Sequence, residues 1–373
     1  MRKRKLFVVT RWLDVGGCER HLFQVLPRLA SEFDISVFVI HPGGKMEQAF
    51  IEAGVPVLTP GAFLGGAPGR LWGIARLVYE LLANRDAIVH FFLPEAYLIG
   101  GICAALIGHP RMVMSRRSLN LYQMNHPLPA CIERKLHGRM RVIVGNSAAV
   151  IRDLREEGVD ESKLRLIYNG VEACAFRQGE GRASFRKRLG IPDEEMVMMV
   201  VANLIPYKGH EDLIRALGAV ADHLPAPWRL VLVGRDDGIG ASLQRLAVSL
   251  GLEERVLFVG QVKEVEGIWS IADIAVLPSH QEGFSNSVLE AMASGLPMVV
   301  TDVGGNPEAV LHEVTGLVVP AGSPVELGEA LLDLATDERK RRDYGAAAAL
   351  RAREVFSVDA CVKAYKELYA SLS

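Results

Sequence analysis

Ten short apolar runs, separated by stretches with helical spacing, constrain this chain more than anything else in it. Residues 6–10, 35–40, 88–92, 112–115 and 142–145 read as strands of the first half, and residues 196–202, 230–234, 256–259, 274–277 and 298–301 as strands of the second. Between them apolar residues recur three and four apart, as in Leu213, Leu217 and Val220, or Leu243, Leu246, Ala247 and Leu250. A run that is apolar throughout has two faces to hide, so it belongs in a parallel sheet with helices on both sides. Strand and helix in alternation give βαβ units. The expected class is α/β, with doubly wound, Rossmann-like parallel sheets.

The alternation falters between Tyr168 and Ile191. Asn169-Gly170 is a turn signal, and residues 177–188 are densely charged and carry Gly179 and Gly181. A linker there divides the 373 residues into a first domain over 1–170 and a second from 171 onward, each of ordinary size. Two such domains are expected to face each other across a cleft, with ligands at the carboxyl ends of their strands.

Composition removes several classes of function. At 50% hydrophobic and 23% charged residues the chain can build two solid cores. A formal net charge of −2 argues against a dedicated nucleic-acid binder. No apolar run reaches the roughly 18–20 residues of a membrane span. Five cysteines, at 18, 103, 131, 174 and 361, form no Cys-x-x-Cys pair, which speaks against a zinc site and a disulfide framework. The expectation is a cytoplasmic protein with reduced thiols. Its basic start, Met1 to Lys5, could also lie peripherally against anionic lipid at about 1 kcal/mol per cation, although a solvated terminus ahead of the first strand is the plainer reading.

The chemistry concentrates in Glu282-Gly283-Phe284-Ser285-Asn286-Ser287-Val288-Leu289-Glu290, which follows the run 274–277. A Gly/Ser/Asn turn that opens a helix aims backbone N–H groups and the positive end of the helix dipole at one point. The flanking carboxylates, Glu282 and Glu290, can accept from hydroxyls on the same ligand. An anion between hydroxyl-rich groups describes a nucleotide sugar. Ser287-x-x-Glu290 is equally a capping box, with Glu290 serving only its own helix, and Gly295 and Pro297 read as a helix stop.

This pattern resembles the Glu-x7-Glu signature of retaining glycosyltransferases of family 4 (glycosyltransferase group 1), which have the two-domain GT-B architecture. The resemblance implies transfer of a sugar from a nucleoside-diphosphate sugar of the UDP or GDP type to an acceptor hydroxyl, with retention at the anomeric carbon. The acceptor would be a glycan or lipid-linked species in cell-surface polysaccharide or lipid-linked glycan synthesis. Glu290 would bind the donor ribose, Glu282 the hydroxyls of the transferred sugar, and amides from Phe284 through Ser285, Asn286 and Ser287 the phosphate. Residues 171–355 would form the donor domain, and residues 356–373 a final helix crossing back to the first. The family often has an Arg and a Lys five positions apart after the first strand of the second half. Lys208 matches, but Asn203 stands where the Arg would be, so Arg235 or an arginine of the first half could supply the missing charge. A solvated lysine is the alternative for Lys208.

Gly16-Gly17 lies between the first strand and a helical pattern, where the family has a glycine pair beside the donor phosphates and acceptor; a plain loop also explains it. Arg116-Arg117 ends another strand, with Arg117 near a position where the family commonly has a histidine. Arginine stays protonated and cannot be a general base, yet paired arginines suit a phosphorylated or lipid-pyrophosphate acceptor. His90 is as readily a packed residue as a ligand, and Asn146-Ser147 carries no assigned role. Thr301 to Glu308 is a second glycine-bearing loop that structural punctuation explains. The catalytic set expected from the resemblance is Glu282, Lys208 and Arg117. With no Asp-x-Asp and no paired histidines, neither a metal nor another cofactor is expected. The rivals are a nucleotide-sugar hydrolase or epimerase of the same fold, and a non-catalytic nucleotide-sugar-binding protein.

Overall fold

Thirteen strands in parallel ladders build two sheets, in a computed structural model that describes residues 3–61, 66–172, 181–262 and 265–372. Of the features singled out above, Met1, Arg2, Cys174 and the linker stretch 173–180 lie outside the described residues. The first seven strands are β1 (Arg4–Thr10), β2 (Phe33–Val39), β3 (Val57–Leu58), β4 (Ile88–Phe92), β5 (Met112–Arg116), β6 (Val142–Gly145) and β7 (Leu164–Leu166), ordered β3-β2-β1-β4-β5-β6-β7. The other six are β8 (Met196–Val201), β9 (Trp228–Val233), β10 (Val256–Gly260), β11 (Ile274–Leu277), β12 (Met298–Thr301) and β13 (Gly316–Val319), ordered β10-β9-β8-β11-β12-β13. Two compact units result: Met1–Gly170 together with Val358–Ser373, and Val171–Ser357.

Three strands went unseen in the sequence, namely β3, β7 and β13, and each is an outermost strand of its sheet. An edge strand has one neighbour and tolerates a short or polar sequence: β3 has two residues, and in β7 Arg165 and Leu166 are exposed. The central strands, buried on both faces, gave the continuous apolar signal.

Side-chain alternation divides the first unit into two cores. Leu6 and Val8 of β1 face the helices Gly17–Leu29 and Val358–Ser371, with Leu22, Leu26 and Val362 in the same cluster. Phe7 and Val9 face the other way, toward Leu77, Tyr97 and Leu136 of the helices Gly66–Ala83, Pro94–Leu106 and Pro127–His137. In the second unit Met198 and Val200 of β8 pack with Leu213, Leu217, Leu243 and Leu331.

The C-terminal helix is bound into the first unit by polar contacts inside an apolar layer. Tyr369 Oη lies 2.7 Å from His90 Nδ1, whose Nε2 lies 2.8 Å from Ser115 Oγ, and Tyr365 Oη is 3.3 Å from His21 Nε2. His90 is therefore a packed histidine. Burial first, and Arg117 second, push its pKa down to about 3. Arg116 also needs correction as one of a pair of acceptor-facing arginines. Its guanidinium is buried and donates to Glu133 Oε1 and Glu157 Oε1, both at 2.5 Å. A guanidinium so buried, with both terminal nitrogens bound to carboxylates, is withdrawn from a ligand.

Tyr369→Ala is expected to destabilise the first unit by about 3–5 kcal/mol, the usual cost of truncating a buried aromatic, as read by urea unfolding. His90 adds a pH signature. Its pKa is about 3 in the fold against 6.5 unfolded, so the unfolded chain binds the extra proton between those values. Its contribution to stability is complete above pH 6.5 and is lost as the pH falls toward 3, which a series of melts across that window measures.

Candidate functional site

In the second unit the first strand, β8, has β9 on one side and β11 on the other. The chain winds outward in both directions from there, so the loops leaving β8 and β11 diverge and open a crevice at their carboxyl ends. Lys208 lies on the loop after β8 and Glu282 on the loop after β11. Their side chains meet across this switch point, with Lys208 Nζ 2.5 Å from Glu282 Oε1. Ser279 Oγ donates to the same oxygen at 2.8 Å. The lysine is 17% and the carboxylate 9% exposed, so the pair is reachable but largely screened from solvent. Among the described residues both side-chain hydrogen bonds to Glu282 reach Oε1, which leaves the lone pairs of Oε2 without a side-chain donor.

Backbone geometry fixes both ends of this pair. Lys208 closes a 3-10 turn, Pro206–Lys208, and Gly209 follows at φ +70°, where a Cβ would stand 1.9 Å from the carbonyl oxygen of Pro278. His280 N–H donates to Tyr207 O at 2.7 Å, stitching the loops together, and His280 Nε2 lies 2.6 Å from Asp212 Oδ2. From the far side, Gly304 at φ +53° brings the loop after β12 onto the Glu282 backbone, where a Cβ would meet the carbonyl oxygen at 1.6 Å. Gly305 N–H donates to Gly283 O at 3.0 Å. Thr301 Oγ1 donates to Ser279 O, and Asn306 Nδ2 to Thr301 O. The glycine-bearing loop that read as punctuation thus braces the residues around Glu282.

The helix after the motif is Asn286–Ala293, with Ser285 at its N-cap and no capping side-chain bond. Ser287 is inside the first turn, so the capping-box alternative for Ser287 and Glu290 is not the one adopted. Ser285 Oγ and Ser287 Oγ are 3.0 Å apart, while Glu290 Oε2 accepts from Trp269 Nε1 at 3.4 Å. Phe284 is buried against Phe356, ring centroids 5.4 Å apart, so its side chain is withdrawn from a ligand. The helix ends as expected. Gly295, at φ +77°, donates to Met292 O and Leu296 to Ala291 O, a Schellman arrangement.

Asn203 sits one turn before Lys208, at the end of β8. Its Oδ1 accepts the backbone N–H of Arg235 at 3.2 Å, and the exposed Arg235 guanidinium pairs with Asp237 at 2.7 and 3.1 Å. A cation does stand beside Asn203, brought by the neighbouring strand. His210, buried next to Lys208, is held neutral by burial first and by that lysine second, with its pKa down to about 4.

Gly16, Gly17 and Arg117 belong to the first unit. Gly16 is the extended N-cap of the helix Gly17–Leu29. The Glu19 carboxylate lies against it: a Cβ on Gly16 would be 2.4 Å from Glu19 Oε2. Glu19 is buried, and burial raises its pKa. Arg117 Nη2 donates to Asn169 Oδ1 at 2.8 Å, and Asn146 Nδ2 to Arg117 O at 3.3 Å. Asn146-Ser147 has a structural task too, since Ser147 Oγ caps the helix Ala148–Glu156. Among the described residues no group of three or more His, Cys, Asp or Glu could hold a metal ion, and no helix is long and apolar enough to cross a membrane.

Sequence reasoning missed Ser279, Trp269 and Glu19. A small polar residue at the end of a central strand, as Ser279 is, was a usable signal. Trp269 reaches Glu290 through tertiary packing that no local pattern carries.

Residues 181–351 match the family model of glycosyl transferases group 1, and residues 15–173 that of glycosyltransferase family 4. The D-inositol 3-phosphate glycosyltransferase of Streptomyces scabiei is 32% identical, over 96% of this chain and 87% of that protein. The protein of the same name from Streptomyces avermitilis is 31% identical over 62% of this chain, a match that spans about half, 52%, of that relative's length. Anabaena HepE, solved in complex with UDP, superposes with a TM-score of 0.86 at 22% identity, covering 98% of this chain and all of that one, 100%.

Gly209→Ala and Gly304→Ala are each expected to cost more than the about 1–3 kcal/mol of a strained backbone position alone, because the added carbon also collides with a backbone carbonyl. Both should lower the urea midpoint of the second unit. Gly238→Ala, at a positive φ but with no atom near the added carbon, should cost less than either.

Proposed function

The chain belongs to glycosyltransferase family 4, group 1, and from that premise we propose that it transfers a sugar from a nucleoside-diphosphate sugar of the UDP or GDP type to an acceptor hydroxyl, with retention and without a metal. The observation that carries this reading is the Lys208–Glu282 pair across the switch point of β8 and β11, held by Ser279. A cation and a hydroxyl-accepting carboxylate at one strand crossover suit the two halves of such a donor, the phosphate and the sugar.

Lys208 would move from Glu282 to the diphosphate as the donor enters, leaving Glu282 to hold hydroxyls of the transferred sugar. Amides of the first turn after Phe284, with the dipole of the helix Asn286–Ala293, face the same charge. Glu290, oriented by Trp269, is assigned to the ribose. In the reaction the bond between the anomeric carbon and the diphosphate oxygen breaks, and a bond to the acceptor oxygen forms on the same face. The departing phosphate oxygen takes the acceptor's proton. Charge then develops on the leaving group, and stabilising it in a screened site is the protein's main lever.

In the first unit Arg117 and Gly16-Gly17 are assigned to the phosphate and acceptor side. Glu19 tempers that role, because an anion near Gly16 meets its carboxylate, and proton uptake at Glu19 would ease the approach. A glycan or lipid-linked acceptor remains our assignment, by analogy with the family.

Two measurements test the proposal. In a thermal-shift panel of UDP, GDP, ADP, dTDP and CMP, one of the first two should raise Tm without magnesium. Stabilisation only with magnesium overturns the metal-free reading, and a flat panel on folded protein overturns the donor site. Lys208→Ala and Glu282→Ala should each lower kcat by about 10²–10³ while the far-UV spectrum stays native. Turnover within threefold or so of the parent in both would remove the pair from the chemistry.

A further inference from the structure

Given the assignment of Lys208 and Glu282 to the donor, on which this inference rests, we propose that His280 is a positioning residue: it fixes the spacing of the loops after β8 and β11 while the donor draws Lys208 and Glu282 apart. In the free protein the two loops are tied by Lys208 Nζ and Glu282 Oε1, 2.5 Å apart. That tie opens when the lysine turns to a diphosphate and the carboxylate to sugar hydroxyls. A preorganised site then needs a second tie for which the ligand does not compete.

His280 provides that tie with two separate groups. Its backbone N–H donates to Tyr207 O at 2.7 Å, one residue before the lysine, and its ring Nε2 lies 2.6 Å from Asp212 Oδ2. An ionised carboxylate only accepts, so Nε2 carries the proton whether the ring is neutral or charged. Asp212 lies in the first turn of the helix His210–Val220, where the helix dipole favours an anion and the backbone is held by the helix. Of the two acids in that turn, Glu211 pairs along its own helix with Arg215 at 2.8 Å, while Asp212 reaches across to the other loop. On that loop His280 stands two residues before Glu282, and its neighbour Ser279 donates to Glu282 Oε1. The anchor at Asp212 is therefore carried directly to the carboxylate that binds the donor.

Stability does not account for this pair. The ring is 45% and the carboxylate 20% exposed, and an ion pair so placed adds little to a fold. Its effect is on geometry. The two loops meet backbone to backbone at Gly209 and Pro278, where a Cβ on the glycine would stand 1.9 Å from the carbonyl oxygen. Rotation about that contact changes the distance between Lys208 and the first turn of the helix Asn286–Ala293, the two groups assigned to the diphosphate. His280 spans the loops beside the contact and resists the rotation. Where two elements must grip one ligand together, a misplacement of about 1 Å is costly, on the order of 10²-fold in catalysis.

The test is calorimetric titration of the full chain with UDP and with GDP. Toward the nucleotide that binds the parent, His280→Ala and Asp212→Ala should each weaken binding about tenfold at unchanged Tm, and the double variant should be no weaker than either single one. His280→Gln, whose amide can still donate to Asp212, should stay within about threefold of the parent. Arg215→Ala, which opens the neighbouring pair inside the helix, should leave binding unchanged. A parent that binds neither nucleotide overturns the donor assignment and this role with it. A parent that binds, with both alanine variants binding equally well, overturns the role of His280 alone. So do a loss of binding that tracks a fall in Tm, additive losses in the double variant, and a His280→Gln protein no better than His280→Ala.

Discussion

The position of β8 between β9 and β11 is the constraint on which the candidate site depends. In a parallel sheet every strand delivers its loop to the same edge, so the only place where neighbouring loops part is where the winding reverses. Lys208 and Glu282 leave the two strands that flank this point. Neither residue would be remarkable on a surface: an exposed lysine–glutamate pair contributes about 0–1 kcal/mol. Here the pair is mostly screened, shares Ser279, and stands on backbone that two glycines fix at positive φ. The topology converts an ordinary ion pair into a preorganised one.

The first unit follows the same winding, with β1 between β2 and β4, but spends its polar groups differently. Arg116, His90 and Ser115 end or line its strands and all face inward, to Glu133 and Glu157 or to tyrosines of the C-terminal helix. That helix belongs to the unit through Val358, Val362, Tyr365 and Tyr369, which complete one of its two cores. The sheet's residues were laid down long before the helix that covers them, so this layer closes only when the far end of the chain arrives. Polar partners inside it, each needing a matched donor or acceptor, favour one seating of the helix over a slipped one.

Much of the donor-side architecture was legible because its signals are local. Continuous apolar runs mark central strands, and the Gly/Ser/Asn turn before Val288 and Leu289 marks a helix start. Of the four outermost strands only β10 was legible; β3 and β7 are too short or too exposed to give an apolar run, and β13 is a four-residue strand opened by a glycine. The candidate site was legible as a set of residues but not as a set of contacts. Glu290 read either as a ligand carboxylate or as its own helix's cap, and it accepts from Trp269, 21 positions earlier. Arg116 read as half of an arginine pair, because no local pattern announces the two glutamates that bury it. The resemblance to family 4 ordered the motifs correctly, while the pairing of Lys208 with Glu282 lies beyond what a motif encodes.

Asn203 shows how such a departure can be absorbed. A charged side chain at that position would stand at the end of β8, on the switch point itself. Asparagine instead accepts the backbone of Arg235, and that arginine's guanidinium stands at the end of β9, one strand away, paired with Asp237. A second cation is thereby kept in the neighbourhood but moved outward and partly neutralised. Charge compensation at the crevice then falls mainly on Lys208 and on the dipole of the helix Asn286–Ala293. A helix terminus presents about half an elementary charge, and it loses nothing to side-chain entropy when a ligand arrives. In the proposed reaction such a fixed field, in place of a second mobile cation, would assist Lys208 in stabilising the leaving group.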